Sequence, residues 1–547
     1  MPVGSPRRPG RHGRRAVALM AAAALTVGCG GGVRAVPQPP RAADAHPADA
    51  GVVRVSSGLL RGRVAADYRL FQGIPYAAPP VGALRWQPPR PAPPWPGMRD
   101  ASKPGPQCIQ GNTREHGARP ASEDCLTLNV WTPAAGGGQR PVMVWIHGGG
   151  FVNGSGDLYN ARSLAARGHI VVVTINYRLG ALGFLAHPAL GPAGEVGNYG
   201  LADQQAALRW VRDNIASFGG DPAKVTVAGE SAGAMSVCDH LVAPGSAGLF
   251  HAAIIQSGPC QAQADLATAQ RLSVDYAASV GCPDLVVAAQ CLRALPAAAL
   301  ARPPWYARIG DSDSLSGPVT GTTTLPVDPV AALVSGRAAK VPVLIGINRD
   351  EFTMFAALRY LRLGRAVASE EYPRMLADVF GAGGRAVLAH YPPERYGGDV
   401  SLAYSAAVTD GVFACPADRM AAGLRRGAPV YGYEFDDRDA PAPKPLRQAP
   451  FPIGASHSLE LRYLFNAGES SSLDPARRQL SDQMISYWSR FVTTGAPDAP
   501  GEPAWPALGG DPNHSAWMSL RPDGSRVITD FAQSHQCVLW AALKGKR

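Results

Sequence analysis

Lysine is nearly absent from this chain of 547 residues, which carries 6 of them against 46 arginines. We read that skew as coding bias. Charged residues are scarce at 17% while hydrophobic ones reach 46%, which excludes disorder over most of the length and provides for a large buried core. Past the N-terminus no apolar run is long enough to cross a bilayer as a helix, which takes ~20 residues. No Cys-x-x-Cys pair and no His/Cys cluster at zinc spacing occurs, which argues against a structural metal. Basic runs are also missing. The formal charge of +10 includes five arginines within residues 1–29, a segment without acids, and the remaining +5 is dispersed. Nucleic acid is therefore set aside as a partner.

Glycine and proline are plentiful, at 62 and 51 residues. Such a share points to a globular chain with many long loops. Length excludes a small binding module, and ~150 residues per domain would give three or four domains unless one large α/β fold takes up the chain.

Residues 1–29 read as an export signal: a basic start (Arg7, Arg8, Arg11, Arg14, Arg15), an apolar stretch over 16–27, then Gly28, Cys29 and Gly30. Leu25-Thr26-Val27-Gly28-Cys29 also resembles a lipoprotein cleavage site, with Thr26 where Leu is usual. Two outcomes follow: free secretion, or a lipid on Cys29 as the sole membrane attachment, at the cell surface or in the periplasm. Arg14-Arg15 hints at twin-arginine export. Residues 30–50, rich in Gly, Pro and Ala, read as a flexible tether. With Cys29 removed, eight cysteines remain, an even number that suggests disulfides in an exported chain.

Alternation over 52–64 suggests an opening β-hairpin. Apolar runs at 126–131, 141–146, 170–175, 225–228, 252–255 and 341–347 alternate with helical patterns. Runs without a polar face are strands buried on both sides, which predicts a large, mostly parallel sheet with helices on both faces. Residues 203–218 have helical spacing and stop at Gly219-Gly220, while 261–326 is Ala-rich, helical and loop-like.

The strand over 225–228 runs into Gly229-Glu230-Ser231-Ala232-Gly233 and then a helical stretch over 234–241. Small residues permit the sharp strand-to-helix turn that lifts a serine hydroxyl above a sheet, so Ser231 is the candidate nucleophile; a structural turn is the bland alternative. His147-Gly148-Gly149-Gly150-Phe151 follows another buried strand. Bare backbone N–H groups of Gly149 and Gly150, with that of Ala232, would hold an oxyanion. A phosphate cradle is excluded because no Lys-Ser/Thr follows. In this order the acid and then the histidine lie downstream of the serine. His390, His457, His514 and His535 all qualify by position, and residue physics does not choose among them.

Taken together, Phe71-Gln-Gly-Ile-Pro-Tyr76, Ser122-Glu-Asp-Cys-Leu-Thr-Leu-Asn-Val130, the His147 to Phe151 stretch, Asn176-Tyr-Arg-Leu-Gly180, Phe218-Gly-Gly-Asp-Pro222 and the Ser231 turn resemble the type-B carboxylesterases. That family includes cholinesterases and bacterial esterases similar to p-nitrobenzyl esterase, and the resemblance spans residues 53–540. It implies an α/β-hydrolase fold, one catalytic domain over 51–547 against the length prior, hydrolysis of small carboxylic esters, and no cofactor. It places the acid at Glu351 in Asn348-Arg-Asp-Glu351, with Asp350 as its neighbouring alternative, and the base at His457 in Gly454-Ala-Ser-His457-Ser-Leu-Glu-Leu461. The family usually has Gly after the acid; here Phe352 stands there. Arg85 with Glu123 and Arg178 with Asp203 are implied ion pairs, and Glu230 sits beside the nucleophile, where it either tunes the field or is simply hydrogen-bonded.

The family pattern pairs Cys108 with Cys125, Cys282 with Cys291 and Cys415 with Cys537. Cys238 and Cys260 are left, one on the helix after the nucleophile and one at the end of the next predicted strand, and we expect them to pair as well. A non-catalytic binding protein of this fold would lack the serine; an amidase, lactone or polyester hydrolase would share every residue. Cholinesterases hold choline on a Trp in the first disulfide loop, but residues 109–124 here contain no Phe, Tyr or Trp. Small residues over 311–316, where acetylcholinesterases have aromatics, predict room for acyl groups larger than acetyl.

Overall fold

Eleven strands make the central sheet: β1 (Arg63–Val64), β2 (Tyr68–Pro75), β3 (Thr127–Pro133), β4 (Arg140–Ile146), β5 (Val171–Ile175), β6 (Gly220–Glu230), β7 (Ala252–Gln256), β8 (Val343–Asn348), β9 (Val430–Phe435), β10 (Trp517–Leu520) and β11 (Arg526–Ile528). The computed structural model describes residues 49–111, 120–134, 138–310, 314–465, 472–509 and 515–544. The export signal, Cys29, the tether through residue 48 and His514 lie outside them. The strand order is β11-β10-β9-β8-β7-β6-β4-β5-β3-β2-β1. From β10 to β5 every pairing is parallel. The ends differ: β11 and the β3-β2-β1 ribbon are antiparallel, so the sheet is mixed around a parallel centre. With helices on both faces, this is the α/β-hydrolase fold.

The continuous apolar runs have the expected cause. All five residues of β5 are buried, and along β4 successive side chains enter opposite cores. Val142, Val144 and Ile146 join one cluster, while Met143 and Trp145 join the other. The first core lies under helices Tyr199–Asn214 and Ala232–His240, and the second under Pro475–Thr494. In register, Val144 lies between Val173 and Val227.

The opening hairpin pairs Val52–Val55 with Gly58–Arg61 and adds Met98–Asp100 to form a separate small sheet. The helix expected over 203–218 begins earlier, at Tyr199, and its last turn, Ile215–Phe218, tightens to a 3₁₀ turn. Gly219 then takes φ +86°, which favours glycine, and closes the helix. One expectation needs correction: Val400–Leu424 is a 25-residue helix apolar enough to cross a membrane. In the fold 78% of its most apolar window is buried, so it is a core helix.

Four disulfides join Cys108 to Cys125, Cys238 to Cys260, Cys282 to Cys291 and Cys415 to Cys537. Both implied ion pairs form, Arg85 with Glu123 at 2.6 Å and the buried Arg178 with Asp203 at 2.7 Å. Arg85 also donates to the carbonyls of Leu292, Arg293 and Leu295, tying the first disulfide loop to the helical segment after Cys282.

Candidate active site

Strand β6 ends at Glu230, and Ser231 turns the chain with φ +55° and ψ −121° before helix Ala232–His240 begins. A non-glycine residue in that region costs about 1–3 kcal/mol, which the surroundings must offset. They do so by close backbone packing. A Cβ on Gly233 would lie 2.0 Å from the Ile146 carbonyl oxygen, and one on Gly229 would lie 2.5 Å from the Gly233 carbonyl carbon. The Ser231 N–H donates to the Gln256 carbonyl at 2.9 Å, which anchors the turn to β7.

The loop after β4 folds against this turn. A Cβ on Gly148 would sit 2.8 Å from the Glu230 carbonyl oxygen and 3.1 Å from Ser231 Cβ. Gly149 and Gly150 have φ of +100° and +62°, and no backbone hydrogen bond among the described residues uses their N–H groups. His147 is buried against Tyr177, its ring centroid 4.4 Å away. Burial lowers its pKa to about 4, so it stays neutral and structural.

Glu351 lies in the turn just after β8, fully buried. Its Oε1 accepts the Asn348 N–H at 2.8 Å and its Oε2 accepts from His457 Nδ1 at 2.6 Å. His457 is buried too, with the rings of Phe355 and Phe413 at 5.2 and 5.5 Å. The structure thus brings Glu351 and His457 into contact. Ser231 is not hydrogen-bonded to His457; Nε2 faces Glu230 Oε1 at 3.2 Å. Catalytic hydrogen bonds are often long or misaligned before substrate binds.

Asp350 points elsewhere. It accepts two bonds from Arg438, at 2.8 and 3.0 Å, and the Ala455 N–H at 2.9 Å, which ties the acid turn to the loop that carries His457. His390 is exposed, and His535 belongs to a different cluster.

Two further carboxylates complete the site. Glu230 Oε1 accepts the Ser458 hydroxyl at 2.5 Å, and Ser458 itself holds φ +65°. Glu460 accepts from Asn348 Nδ2 at 2.6 Å and Gln256 Nε2 at 3.1 Å. Sequence reasoning gave Glu460 no role; an acid between two leucines just past the histidine was the available signal. Burial raises the Glu460 pKa to about 8, with Glu230 nearby adding to it. At His457 burial lowers the pKa, but Glu230 and Glu351 more than offset it and raise it to about 9. Among the described residues no cluster of three or more His, Cys, Asp or Glu could hold a metal ion.

Comparison with known proteins points to one family. The profile of the carboxylesterase family matches residues 49–540. The chain is 34% identical over 498 residues to an acylcarnitine hydrolase of Mus musculus, covering 85% of each protein. To a fumonisin B1 esterase of Sphingopyxis macrogoltabida it is 36% identical over 475 residues, 83% of this chain and 84% of the relative. To a pyrethroid hydrolase of Rattus norvegicus it is 36% identical over 489 residues, 84% and 83%. A serine turn packed on a glycine loop, an acid bonded to a histidine and family likeness along nearly the whole described chain have one common explanation: the chain belongs to the carboxylesterase family and is a carboxylic ester hydrolase.

Proposed function

We propose that ester cleavage proceeds through an acyl-enzyme on Ser231, with His457 as base and Glu351 as the acid that orients it. The observation that carries this reading is the 2.6 Å bond between Glu351 Oε2 and His457 Nδ1, formed between two loops 106 residues apart beside the strained Ser231 turn. Ser231 Oγ attacks the carbonyl carbon and passes its proton to His457 Nε2. The N–H groups of Gly149, Gly150 and Ala232 receive the negative oxygen. Collapse expels the alcohol, which takes the proton back from Nε2, and a water activated by the same nitrogen releases the acid. Glu351 keeps Nδ1 protonated and the ring aligned throughout. For the first step Nε2 must give up its proton and turn from Glu230 to Ser231.

The relatives' names cover acylcarnitine, fumonisin B1 and pyrethroid hydrolysis, which supports broad ester hydrolysis rather than one alcohol or acid. Leu315 stands near the oxyanion loop, 3.4 Å from where a Cβ on Gly150 would be, and residues 311–313 lie outside the described part. Neutral esters of short to medium or aromatic acids are the substrates this reading favours. Residues 51–547 act as one catalytic domain, and the four disulfides support an oxidising location reached by the N-terminal export signal, as a secreted or Cys29-anchored protein.

A fluorophosphonate probe tests the mechanism. It should label Ser231, and Ser231→Ala or His457→Ala should cut turnover by about 10⁴-fold or more. Labelling at another serine, or near-full activity in Ser231→Ala, would overturn it.

A further inference from the structure

A second buried histidine has a carboxylate on each ring nitrogen. His535 Nδ1 lies 2.5 Å from Asp410 Oδ1, and its Nε2 lies 2.7 Å from Glu434 Oε1. A neutral imidazole has one N–H and one lone pair, so a carboxylate oxygen facing each nitrogen favours the imidazolium, which donates to both. Burial disfavours that cation, but Asp410 and Glu434 more than offset it and raise the His535 pKa to about 10.

Each carboxylate leads back to the acid turn by its own route. Asp410 belongs to a π-helical turn, Thr409–Ala414, set inside the long helix Val400–Leu424. Such turns are rare and frequently fall at functional sites. This one carries three inward contacts: Thr409 Oγ1 accepts the N–H of Phe352, next to Glu351, at 3.1 Å; Asp410 meets His535; and Phe413 packs on the His457 ring at 5.5 Å. Glu434 lies on β9, and its Oε2 accepts from Arg349 Nη1 at 3.1 Å, two residues before Glu351. Arg349 also faces Asp436, which Arg521 approaches at 3.7 Å from the far side. Tyr391 donates to Asp410 Oδ2 at 2.6 Å. The segment with His535 is held by the Cys415–Cys537 disulfide, whose first cysteine directly follows the π turn.

We infer that His535 is a positioning residue for the Glu351–His457 pair: its cation fastens the π turn Thr409–Ala414 to the end of β9, and so fixes the acid turn from both sides. The inference rests on the assignment of Glu351 and His457 made above. His535 touches no reacting atom. Without it the π turn loses its tether to β9, the Phe352 N–H loses a fixed acceptor, and Phe413 no longer restrains the His457 ring.

Full-length His535→Gln, Thr409→Val and Glu351→Gln variants test this. Thr409→Val leaves the buried charges intact and cuts only the link to Phe352, so it remains informative if His535→Gln does not fold. Each is assayed on p-nitrophenyl butyrate from about pH 6 to about pH 10, and the far-downfield proton on His457 Nδ1 is followed by NMR. We expect kcat to fall between about tenfold and a hundredfold in His535→Gln, and less in Thr409→Val, with KM nearly unchanged. The His457 proton should shift or broaden in both. Folded variants with wild-type kcat, pH profile and His457 proton, whose only defect is a lower Tm, would overturn the inference. Glu351→Gln reports on the underlying assignment: if it keeps wild-type turnover, the acid is wrong whatever His535→Gln does. If it is inactive while the other two behave as wild type, only the positioning role fails.

Discussion

His457 Nε2 rests 3.2 Å from Glu230 Oε1, on the oxygen that also accepts the Ser458 hydroxyl. With Glu351 on the other ring nitrogen, the imidazole lies between two buried carboxylates and holds its proton well above the ordinary value of 6.5. In the proposed mechanism the nitrogen that receives the serine proton is therefore occupied in the resting protein.

Activity should accordingly rise with pH. As the proposed base, His457 works when neutral, so kcat/KM for a neutral ester is expected to climb until about pH 9, the value to which His457 is raised. Glu230→Gln removes one of the two carboxylates that raise the His457 pKa and should move the rising limb to lower pH. A limb that stays in place would show that Glu230 does not set it.

Stability should run the other way. For His457 and His535 the folded pKa values, about 9 and about 10, lie above the 6.5 of an unperturbed histidine. A raised folded value means the stabilisation is complete below the unfolded pKa and is lost as pH rises through the folded one. Thermal unfolding should thus show Tm declining between about pH 6.5 and about pH 10, and His535→Gln should flatten the upper part of that decline. A Tm that increases over this window would contradict the two cations.

Asp350 and Glu351 are neighbours with separate partners. Glu351→Gln should lower kcat by about 10⁴-fold, because the amide cannot hold the same tautomer of His457. Asp350→Asn loosens the bonds to Arg438 and Ala455, and its cost of about 1–2 kcal/mol should appear in unfolding, with turnover little changed. Exchange of these two phenotypes would make Asp350 the acid.

Among simple substrates, p-nitrophenyl butyrate is expected to equal or exceed p-nitrophenyl acetate in kcat/KM, with acetylcholine far behind both. The sequence of the loop joined by Cys108–Cys125 contains no Phe, Tyr or Trp for a quaternary ammonium group. Acetylcholine as the best of the three would reverse this reading of the acyl and alcohol sites.

What the sequence disclosed and what it hid follow from how locally each feature is determined. Gly229 is imposed by backbone contact with Gly233 within one turn, and β5 is apolar throughout because both its faces are covered. The choice of His457 among four candidates depends on a contact across 106 residues, which no local pattern encodes. Strands β9 and β10 escaped notice because they bury Glu434 and Ser519, whose polarity interrupts the apolar runs that revealed the others. The antiparallel ends of the sheet were likewise invisible, since strand direction leaves no mark on composition. Nor did anything in Thr409 to Ala414 announce a π turn inside an otherwise ordinary apolar helix.

The Gly233 contact with Ile146 reaches further than the turn it shapes. With only 2.0 Å between that carbonyl oxygen and the site of a Cβ, the strand that leads to the glycine loop and the helix that follows the serine touch main chain to main chain. The span from the Ser231 turn to the Gly148–Gly150 loop is set there by peptide geometry, with no side chain interposed to act as a spacer. Exchanging Met143 or Trp145, which face the opposite core, should therefore cost stability while leaving that span as it is. Enlarging Gly233 by one methyl group would alter the span itself.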